Sequence, residues 1–454
     1  MADAKLKEKD IFESMPVRKA VLTLAVPTVI SQLIVLIYNL ADTWFIGQTG
    51  DPLQVAAVTV SYPLFMLLSG FGNLFGIGGG SLISRLLGRG EPGNAGKIGT
   101  FIIWASGIAT LAYSFLIFGF GGQALRVLGT GGETLIFAEQ YLFWTVVIGG
   151  IPMVLNQVIA NIVRAQGRAR TASIGMSVGG ILNVLLDPLF IFGLHMNVAG
   201  AALATCVSNV VSVLYLFGHI IRTKKESTVQ LTVFPQKISP SYVAEVFSVG
   251  TPAALQIVLA SVSNSVMIRL MSGYVESAVF GLGIAQKIEM IPFQIVQGLS
   301  SGVLPLIAYN YASGDRKRMD SVVRFSLASG FVISVLMFAM AELSAPWLVR
   351  FFIEDAATIE YGAAFTRLRC ISLPFINIEF MLISVFQGIG GAKQAFVLSF
   401  FRKGIFDLPL MMLANVLWPM YGLMLVGPVM EFLGGSLAVF LYQRQAHTES
   451  RITT

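Results

Sequence analysis

Long apolar blocks separated by short polar breaks run along almost the whole chain. A helix that crosses the hydrocarbon core of a bilayer needs about 20 predominantly apolar residues, and twelve blocks reach this length. The pattern therefore predicts an all-α polytopic membrane protein with twelve transmembrane helices. The predicted spans lie near residues 20–45, 54–85, 97–120, 137–164, 171–192, 198–221, 247–272, 277–309, 320–345, 358–388, 393–417 and 420–443.

The positively charged residues fall almost entirely on one side of the predicted bundle. The segment before the first span, the even-numbered loops and the segment after the last span hold 21 Lys and Arg residues, whereas the odd-numbered loops hold Arg126 and Arg350. Cytoplasmic loops of membrane proteins carry such an excess of Lys and Arg. We therefore expect a multi-pass protein of the plasma (inner) membrane with both termini in the cytoplasm.

The sequence contains an internal duplication. Pro27 and Asn39 of the first span match Pro252 and Asn264 of the seventh at a constant offset of 225 residues. Because six spans return the chain to the side on which it began, the two copies have the same orientation in the membrane. Three further matches follow in the same order, namely Gly90-Glu91 with Gly314-Asp315, Pro152 with Pro374, and Gln166-Gly167 with Gln387-Gly388.

The duplication predicts two pseudo-symmetric six-helix bundles joined by the longest polar stretch of the chain. Duplicated halves around a central cavity are a common architecture of secondary transporters. The predicted segments are a cytoplasmic leader at 1–19, an N-terminal bundle at 20–221, a cytoplasmic linker at 222–246, a C-terminal bundle at 247–443 and a cytoplasmic tail at 444–454.

The composition excludes several other classes of protein. Apolar residues make up 55% of the chain and charged residues 12%, about half of the charge content of ordinary soluble proteins. The two cysteines lie in apolar blocks and the three histidines are scattered, so the sequence has no disulfide framework and no metal-binding motif. The basic residues are spread over many loops, which argues against binding of nucleic acid. We expect a monomer in the lipid bilayer, without a cofactor or a nucleic-acid partner.

Four polar residues of the N-terminal half are predicted to lie at a similar depth in the membrane. Asp42 and Asp187 lie five and six residues before the ends of their spans, and Thr205 lies about six residues into the sixth span. At 1.5 Å per residue these positions are about 7–9 Å below the outer surface, and Asn183 shares a helix face with Asp187. A charge at membrane depth is costly and is retained mainly for function. We predict that these four residues bind a coupling proton or Na+.

Further polar residues are predicted to line a substrate cavity, although each polar stripe also suits hydrogen bonding between helices. In the second half, Glu289 and Glu379 either line the cavity or pair with other charges. Lys403 and Asp407 are spaced i, i+4 and are expected to neutralise each other. The predicted cavity residues are Gln32, Tyr38, Asn39, Tyr141, Asn156, Asn161, Ser208, Asn209, Glu289 and Glu379.

Several segments resemble the multidrug and toxic compound extrusion (MATE) transporter family. They are residues 187–193 (DPLFIFG), residues 198–205 (VAGAALAT), residues 164–167 (RAQG) and the first span from Pro27 to Gly47. The resemblance implies two facing six-helix bundles and efflux of organic cations driven by entry of protons or sodium. It is greatest for the prokaryotic branch of DNA-damage-inducible (DinF-like) transporters, in which the acid of helix one matches Asp42. The helix-five and helix-six positions of that branch match Asn183, Asp187 and Thr205.

The sequence favours a secondary antiporter that exports organic cations by alternating access. A lipid-linked oligosaccharide flippase of the same broad superfamily is the alternative. Such a flippase needs cationic cavity residues for pyrophosphate, and we expect no free arginine at mid-span in the N-terminal half. A membrane-embedded enzyme is a third class, but the sequence contains no His-Glu-x-x-His motif and no histidine in the middle of a span. We therefore predict a transporter and not an enzyme.

Overall fold

The computed structural model of the protein describes residues 9–224 and 227–453, so the first eight residues of the predicted leader, two linker residues and the last residue lie outside it. The described residues form helices and contain no strand. The helices are α1 (Val17–Gly47), α2 (Pro52–Gly88), α3 (Pro92–Val127), α4 (Gly132–Ile148 with Gly150–Ala165), α5 (Ala169–Gly193), α6 (Asn197–Arg222), α7 (Pro240–Met271), α8 (Glu276–Ala312), α9 (Arg316–Arg350), α10 (Ala356–Cys370 with Leu373–Ile389), α11 (Ala392–Phe400, Phe401–Ile405 and Asp407–Leu417) and α12 (Tyr421–Thr453).

These helices correspond one to one to the twelve predicted spans. Nine of them are continuous, long and apolar enough to cross a membrane, and α4 and α10 qualify as spans bent by 46° and 43°. Length and apolarity alone do not identify α11, because a π-helical turn at Phe401–Ile405 breaks it and it carries Arg402, Lys403 and Asp407. The helix α7 begins at Pro240, inside the predicted linker, because Ser239 caps its first turn and proline suits that position.

The two halves repeat the same local features. Proline lies inside both α1 and α7, at Pro27 and Pro252. The loops after α2 and α8 each turn on a glycine in the left-handed region, with φ of +75° at Gly90 and +83° at Gly314. A side chain at such a position would be strained, which explains the matched glycines. The helix α10 continues through Gln387-Gly388, the pair predicted to match Gln166-Gly167, and ends at Ile389. The left-handed glycine that follows it is therefore Gly390.

The halves contact each other on one side of the membrane. With twelve spans both ends of the chain lie on this side, which we refer to as the terminal side. The contact between α1 and α8 runs from Gln32 and Gln294 toward the terminal side, where Gly302 packs on the backbone of Ala25. The helices α2 and α7 contact each other from Gly70 toward the same side. The halves therefore form a V that is closed on the terminal side.

Glycines make the contact between α2 and α7 close. A Cβ atom on Gly250 would collide with the carbonyl of Leu74, and one on Gly78 would collide with the carbonyl of Val246. Small residues at a helix interface let two backbones approach closely in a membrane. At the wall of the cavity α2 also contacts α10, where the Ser81 hydroxyl donates a 2.5 Å hydrogen bond to the carbonyl of Gln387. The closed end of the V is thus a narrow, well-packed seam.

A segment before α1 binds to the second half on the terminal side. Arg318 at the start of α9 donates hydrogen bonds to the carbonyls of Ile11, Phe12 and Met15, at 3.1, 2.6 and 2.6 Å. The ring of Phe12 stacks on Tyr309 with 4.6 Å between the ring centroids. The described part of the leader therefore ties the start of the first half to the second half.

Replacement of Arg318 by alanine is expected to lower thermal stability. The change removes three hydrogen bonds from a charged donor, a type of bond that contributes about 1.5–3 kcal/mol when partly buried. Both cysteines are buried, so the midpoint of unfolding can be followed with a thiol-reactive dye during heating. Arg324→Ala is the control, because Arg324 is exposed on the same helix. Equal midpoints for the two variants would contradict the assigned role of Arg318.

Candidate functional site

A cavity of about 420 Å³ lies between the two halves, above the seam formed by α2 and α7. Both halves contribute polar side chains to its walls, which a water-filled path requires and a lipid-facing surface does not. Seven of the predicted cavity residues line it, namely Gln32, Tyr38, Asn39, Asn156, Asn161, Ser208 and Asn209. The second half contributes an unpredicted set of amides and hydroxyls, namely Gln256, Gln294, Gln297, Ser300, Ser301, Ser384 and Gln387.

The four residues predicted to bind the coupling ion lie together beside this cavity. The Nδ2 atom of Asn183 lies 3.2 Å from the Thr205 hydroxyl and 3.4 Å from Oδ1 of Asp187. The carboxyl groups of Asp42 and Asp187 are close enough to share a hydrogen bond. Asn183 and Thr205 line the cavity, and Asp187 is fully buried behind them. The site is thus connected to the cavity through an amide and a hydroxyl.

Three oxygen atoms of this site are buried without a hydrogen-bond partner among the described residues. They are Oδ1 of Asp42, Oδ2 of Asp187 and Oδ1 of Asn183. A buried carboxylate oxygen without a partner is costly, so a proton or a cation at the site would stabilise it. Carboxylate and amide oxygens are also ligands of hard cations. The described residues hold no cluster of three or more His, Cys, Asp or Glu side chains suited to a metal ion.

The local sequence of α5 explains why the site forms. Asn183 and Asp187 are one helical turn apart on the same face. One turn earlier, Gly179 faces Ser212 of α6 and Gly180 faces Tyr38 of α1, so that both neighbouring helices approach closely. Pro188 has no backbone N–H to donate, and the helix continues as a π-helical turn over Leu189–Gly193. π-Helical turns are frequent at functional sites because they change the direction of nearby side chains.

Three of the predicted cavity residues do not line the cavity. Tyr141 is buried in the apolar cluster with Ile46 and Ile191, beside Asp42. Glu289 is held by Arg369, with contacts of 2.5 and 2.7 Å between its carboxylate and the guanidinium. Glu379 is fully buried and lies 3.7 Å from Arg402. The alternative that the two acids pair with other charges is the one that the structure shows.

The second half contains a buried charged network that sequence reasoning only partly found. Arg402 of α11 contacts Glu431 of α12 at 2.7 Å and Glu379 of α10 at 3.7 Å. The predicted pair of Lys403 and Asp407 is present at 3.8 Å, and the Ser263 hydroxyl donates to Asp407. The signal available in the sequence was a charged residue inside each of three neighbouring spans. We refer to Arg402, Glu379, Glu431, Lys403 and Asp407 as the C-half network.

Arg164, the last residue of the fourth predicted span, was not predicted to line the cavity. It lies in the last turn of α4, is 6% exposed and lines the floor of the cavity. Its Nη1 atom donates a 2.9 Å hydrogen bond to Oδ1 of Asn161. Among the described residues that line the cavity, Arg164 carries the one formal charge. The expectation of no free arginine at mid-span in the N-terminal half is not contradicted, because Arg164 lies at the end of its span.

Comparison with known proteins places the chain in a family. A sequence profile of the MatE family matches residues 27–189 and again residues 252–413. The two matches begin at Pro27 and Pro252, so they confirm the internal duplication. The multidrug export protein MepA of Staphylococcus saprophyticus is 32% identical over 435 residues, which cover 95% of each chain. MepA of Staphylococcus aureus is 30% identical over 434 residues, again 95% of each chain.

Solved structures agree with this assignment at the level of the fold. An outward-facing MATE family transporter of the MOP superfamily superposes with a TM-score of 0.89 at 23% identity, covering 96% of this chain and 97% of the other. MATE in complex with MaL6 superposes with a TM-score of 0.91 at 23% identity, covering 98% and 99%. The fold and the cavity thus define a twelve-helix membrane transporter built from two six-helix bundles. The chain belongs to the multidrug and toxic compound extrusion (MatE) family.

Membership of this family confirms the predicted fold class, the resemblance to MATE transporters and the choice of a transporter over an enzyme. The DinF-like branch remains a prediction, as do the segment boundaries, the roles of the site residues and the coupling ion.

Proposed function

We propose that this protein is a multidrug efflux antiporter. It exports organic cations from the cytoplasm across the plasma (inner) membrane, in exchange for protons or Na+, and acts as a monomer. The terminal side is the cytoplasmic side in this proposal, so the V opens away from the cytoplasm. The similarity to the multidrug export proteins MepA over 95% of the chain supports the export of drugs. The 21 to 2 distribution of Lys and Arg supports the orientation.

The observation that carries the antiport mechanism is the carboxyl pair beside the cavity. Asp42 and Asp187 face each other, and each has a buried oxygen without a partner among the described residues. Two adjacent carboxylates do not both stay charged at low cost away from water. A proton or Na+ that enters from the open side would neutralise the pair. A cationic drug competes for the same negative charge, so ion entry favours drug release.

An ion gradient supplies enough free energy for this exchange. Each pH unit across the membrane supplies about 1.4 kcal/mol per proton, and each charge moved through 100 mV supplies about 2.3 kcal/mol. In alternating access the seam between α2 and α7 is closed in one state and open in the other. A ligand shifts such an equilibrium by its difference in affinity for the two states, so the transported ion would change their relative stability. The described seam is closed on the cytoplasmic side.

Arg164 does not prevent binding of a cation near Asp42. Asn209 of α6 and Asn156 of α4 are hydrogen-bonded to each other and therefore lie at the same depth. Thr205 lies four residues before Asn209 in α6, and Arg164 lies eight residues after Asn156 in α4. At 1.5 Å per residue this separation is about 18 Å. The repulsion between two unit charges at that distance is about 0.2 kcal/mol in water and about 0.9 kcal/mol at an effective dielectric constant of 20. Both values are small beside the attraction of a nearby carboxyl pair.

The flippase alternative is not favoured by the cavity. A pyrophosphate group carries several charges and is bound by clusters of Arg and Lys. Among the described cavity residues Arg164 stands without a second basic side chain. We therefore retain drug export as the proposed function.

Transport into inside-out vesicles tests this proposal. Vesicles that contain the protein are given a pH gradient and a Na+ gradient in separate experiments, and uptake of ethidium is followed by fluorescence. We expect uptake with at least one of the two gradients and none when both are collapsed. Vesicles with an empty vector are the control. The antiport mechanism would be contradicted if vesicles reconstituted with the purified protein still took up ethidium with both gradients collapsed, and if this uptake required ATP.

A further inference from the structure

Arg164 is a buried cation without a counterion. Three arginines among the described residues are less than 9% exposed, namely Arg85, Arg164 and Arg402. Arg85 is paired with Glu245 at 3.1 Å and Arg402 with Glu431 at 2.7 Å. Arg164 makes no ion pair with a described carboxylate. A buried charge is normally paired because removal of its hydration is costly, so the missing partner of Arg164 requires an explanation.

The guanidinium of Arg164 has donors to spare at the cavity floor. An arginine has five N–H donors in a planar fork. One is used on Asn161, another nitrogen lies 3.6 Å from the sulfur of Met176, and Nε has no partner among the described residues. The surrounding wall is neutral and polar. Gln157 and Asn73, which are hydrogen-bonded to each other at 2.5 Å, lie one to two helical turns above it.

We propose that Arg164 binds the carboxylate of zwitterionic substrates. This inference rests on the proposed function and names a residue that determines specificity within the same cavity, for drugs that carry both a cationic and a carboxylate group. A planar carboxylate matches the guanidinium fork and forms charge-assisted hydrogen bonds with it. The site is about 18 Å from the carboxyl pair by helix geometry. At this separation Arg164 makes no contact with simple cations that bind near the carboxyl pair. It adds a contact only for drugs that also carry a carboxylate.

Two dyes that differ by one methyl ester test the proposal. Rhodamine 110 carries a free carboxylate, and rhodamine 123 is its methyl ester and a simple cation. Binding of each dye to the purified full-length protein in nanodiscs is measured by fluorescence polarisation. We expect Arg164→Gln to lower the ratio of the affinity for rhodamine 110 to the affinity for rhodamine 123 by about tenfold or more. Arg164→Lys, which retains the charge but not the planar fork, should recover only part of that ratio.

Arg89→Gln is the matched control. Arg89 is exposed just beyond the end of α2 on the same side of the membrane, outside the cavity, so this variant removes an equal charge without touching the floor. Its affinity ratio should equal that of the wild type. An unchanged ratio in Arg164→Gln, or equal weakening of both dyes, would assign Arg164 a purely structural role and overturn the proposal.

A measurement on the wild type does not depend on folding of any variant. An excess of sodium benzoate should displace rhodamine 110 and leave rhodamine 123 bound, because benzoate supplies the carboxylate alone. Displacement of neither dye, or no binding of rhodamine 110 at all, would also overturn the inference. Failure of the proposed function would be seen in a different measurement. Vesicles with the wild-type protein would then not transport rhodamine 123 under either ion gradient, whatever the binding measurements in nanodiscs show.

Discussion

Asp187→Asn and Asp42→Asn should each remove the dependence of export on an ion gradient. Asparagine has nearly the same volume as aspartate but neither titrates nor carries a charge. Asp187 is fully buried and bonded to Asn183, so the amide can occupy its place without a cavity. With one pH unit imposed, the coupled wild type gains about 1.4 kcal/mol, or about tenfold in drug accumulation. In either variant we expect accumulation to fall to the level seen without a gradient.

The measurement is accumulation of a cationic dye in vesicles at equal expression, with a pH gradient and a Na+ gradient imposed separately. Asp51→Asn is the matched control. Asp51 lies nine residues after Asp42 and caps α2 by accepting a hydrogen bond from the backbone of Leu53, and asparagine caps a helix equally well. Asp51→Asn should therefore transport like the wild type. Full coupling in Asp42→Asn would place the ion site elsewhere and overturn the proposed role of the carboxyl pair.

The sequence predicts the helices well because the bilayer imposes a length on each of them. Every apolar block of the required length became a helix, including α11, whose charges and broken backbone conceal it from a test of apolarity. The grouping of Asp42, Asn183, Asp187 and Thr205 was also predictable. Their depth follows from the distance along each helix to its end, and α1, α5 and α6 belong to one bundle.

The remaining features depend on which helices are neighbours, and hydrophobic periodicity does not supply that information. Glu379, Arg402 and Glu431 come from three different helices, so their contact is visible only after α10, α11 and α12 are packed. The position of Arg164 was missed for a related reason. It lies near a helix end, as a loop residue would, but the V closes below it and turns that helix end into the floor of a cavity.

Arg402→Met should destabilise the protein more than any other single change considered above. Arg402 is 4% exposed and is held by Glu431, while its guanidinium lies 4.5 Å from the centroid of the Phe380 ring. The C-half network contains three acids and two bases, so the loss of Arg402 leaves one base for three buried carboxyl groups. Removal of one partner of a buried ion pair costs about 3–5 kcal/mol, because the remaining charge has lost its compensation.

The midpoint of unfolding during heating, followed with the thiol-reactive dye, should fall strongly for Arg402→Met. It should recover in the double variant Arg402→Met with Glu431→Met, since apolar residues of similar volume often replace a buried ion pair without loss of stability. Arg367→Met is the control. Arg367 forms a 3.8 Å ion pair with Glu342 in which both side chains are more than one third exposed, and such a pair contributes at most about 1 kcal/mol. Equal unfolding temperatures for Arg402→Met and Arg367→Met would contradict this prediction. They would mean that the carboxyl groups of the C-half network are protonated and neutral in the native state, and do not depend on Arg402 for compensation.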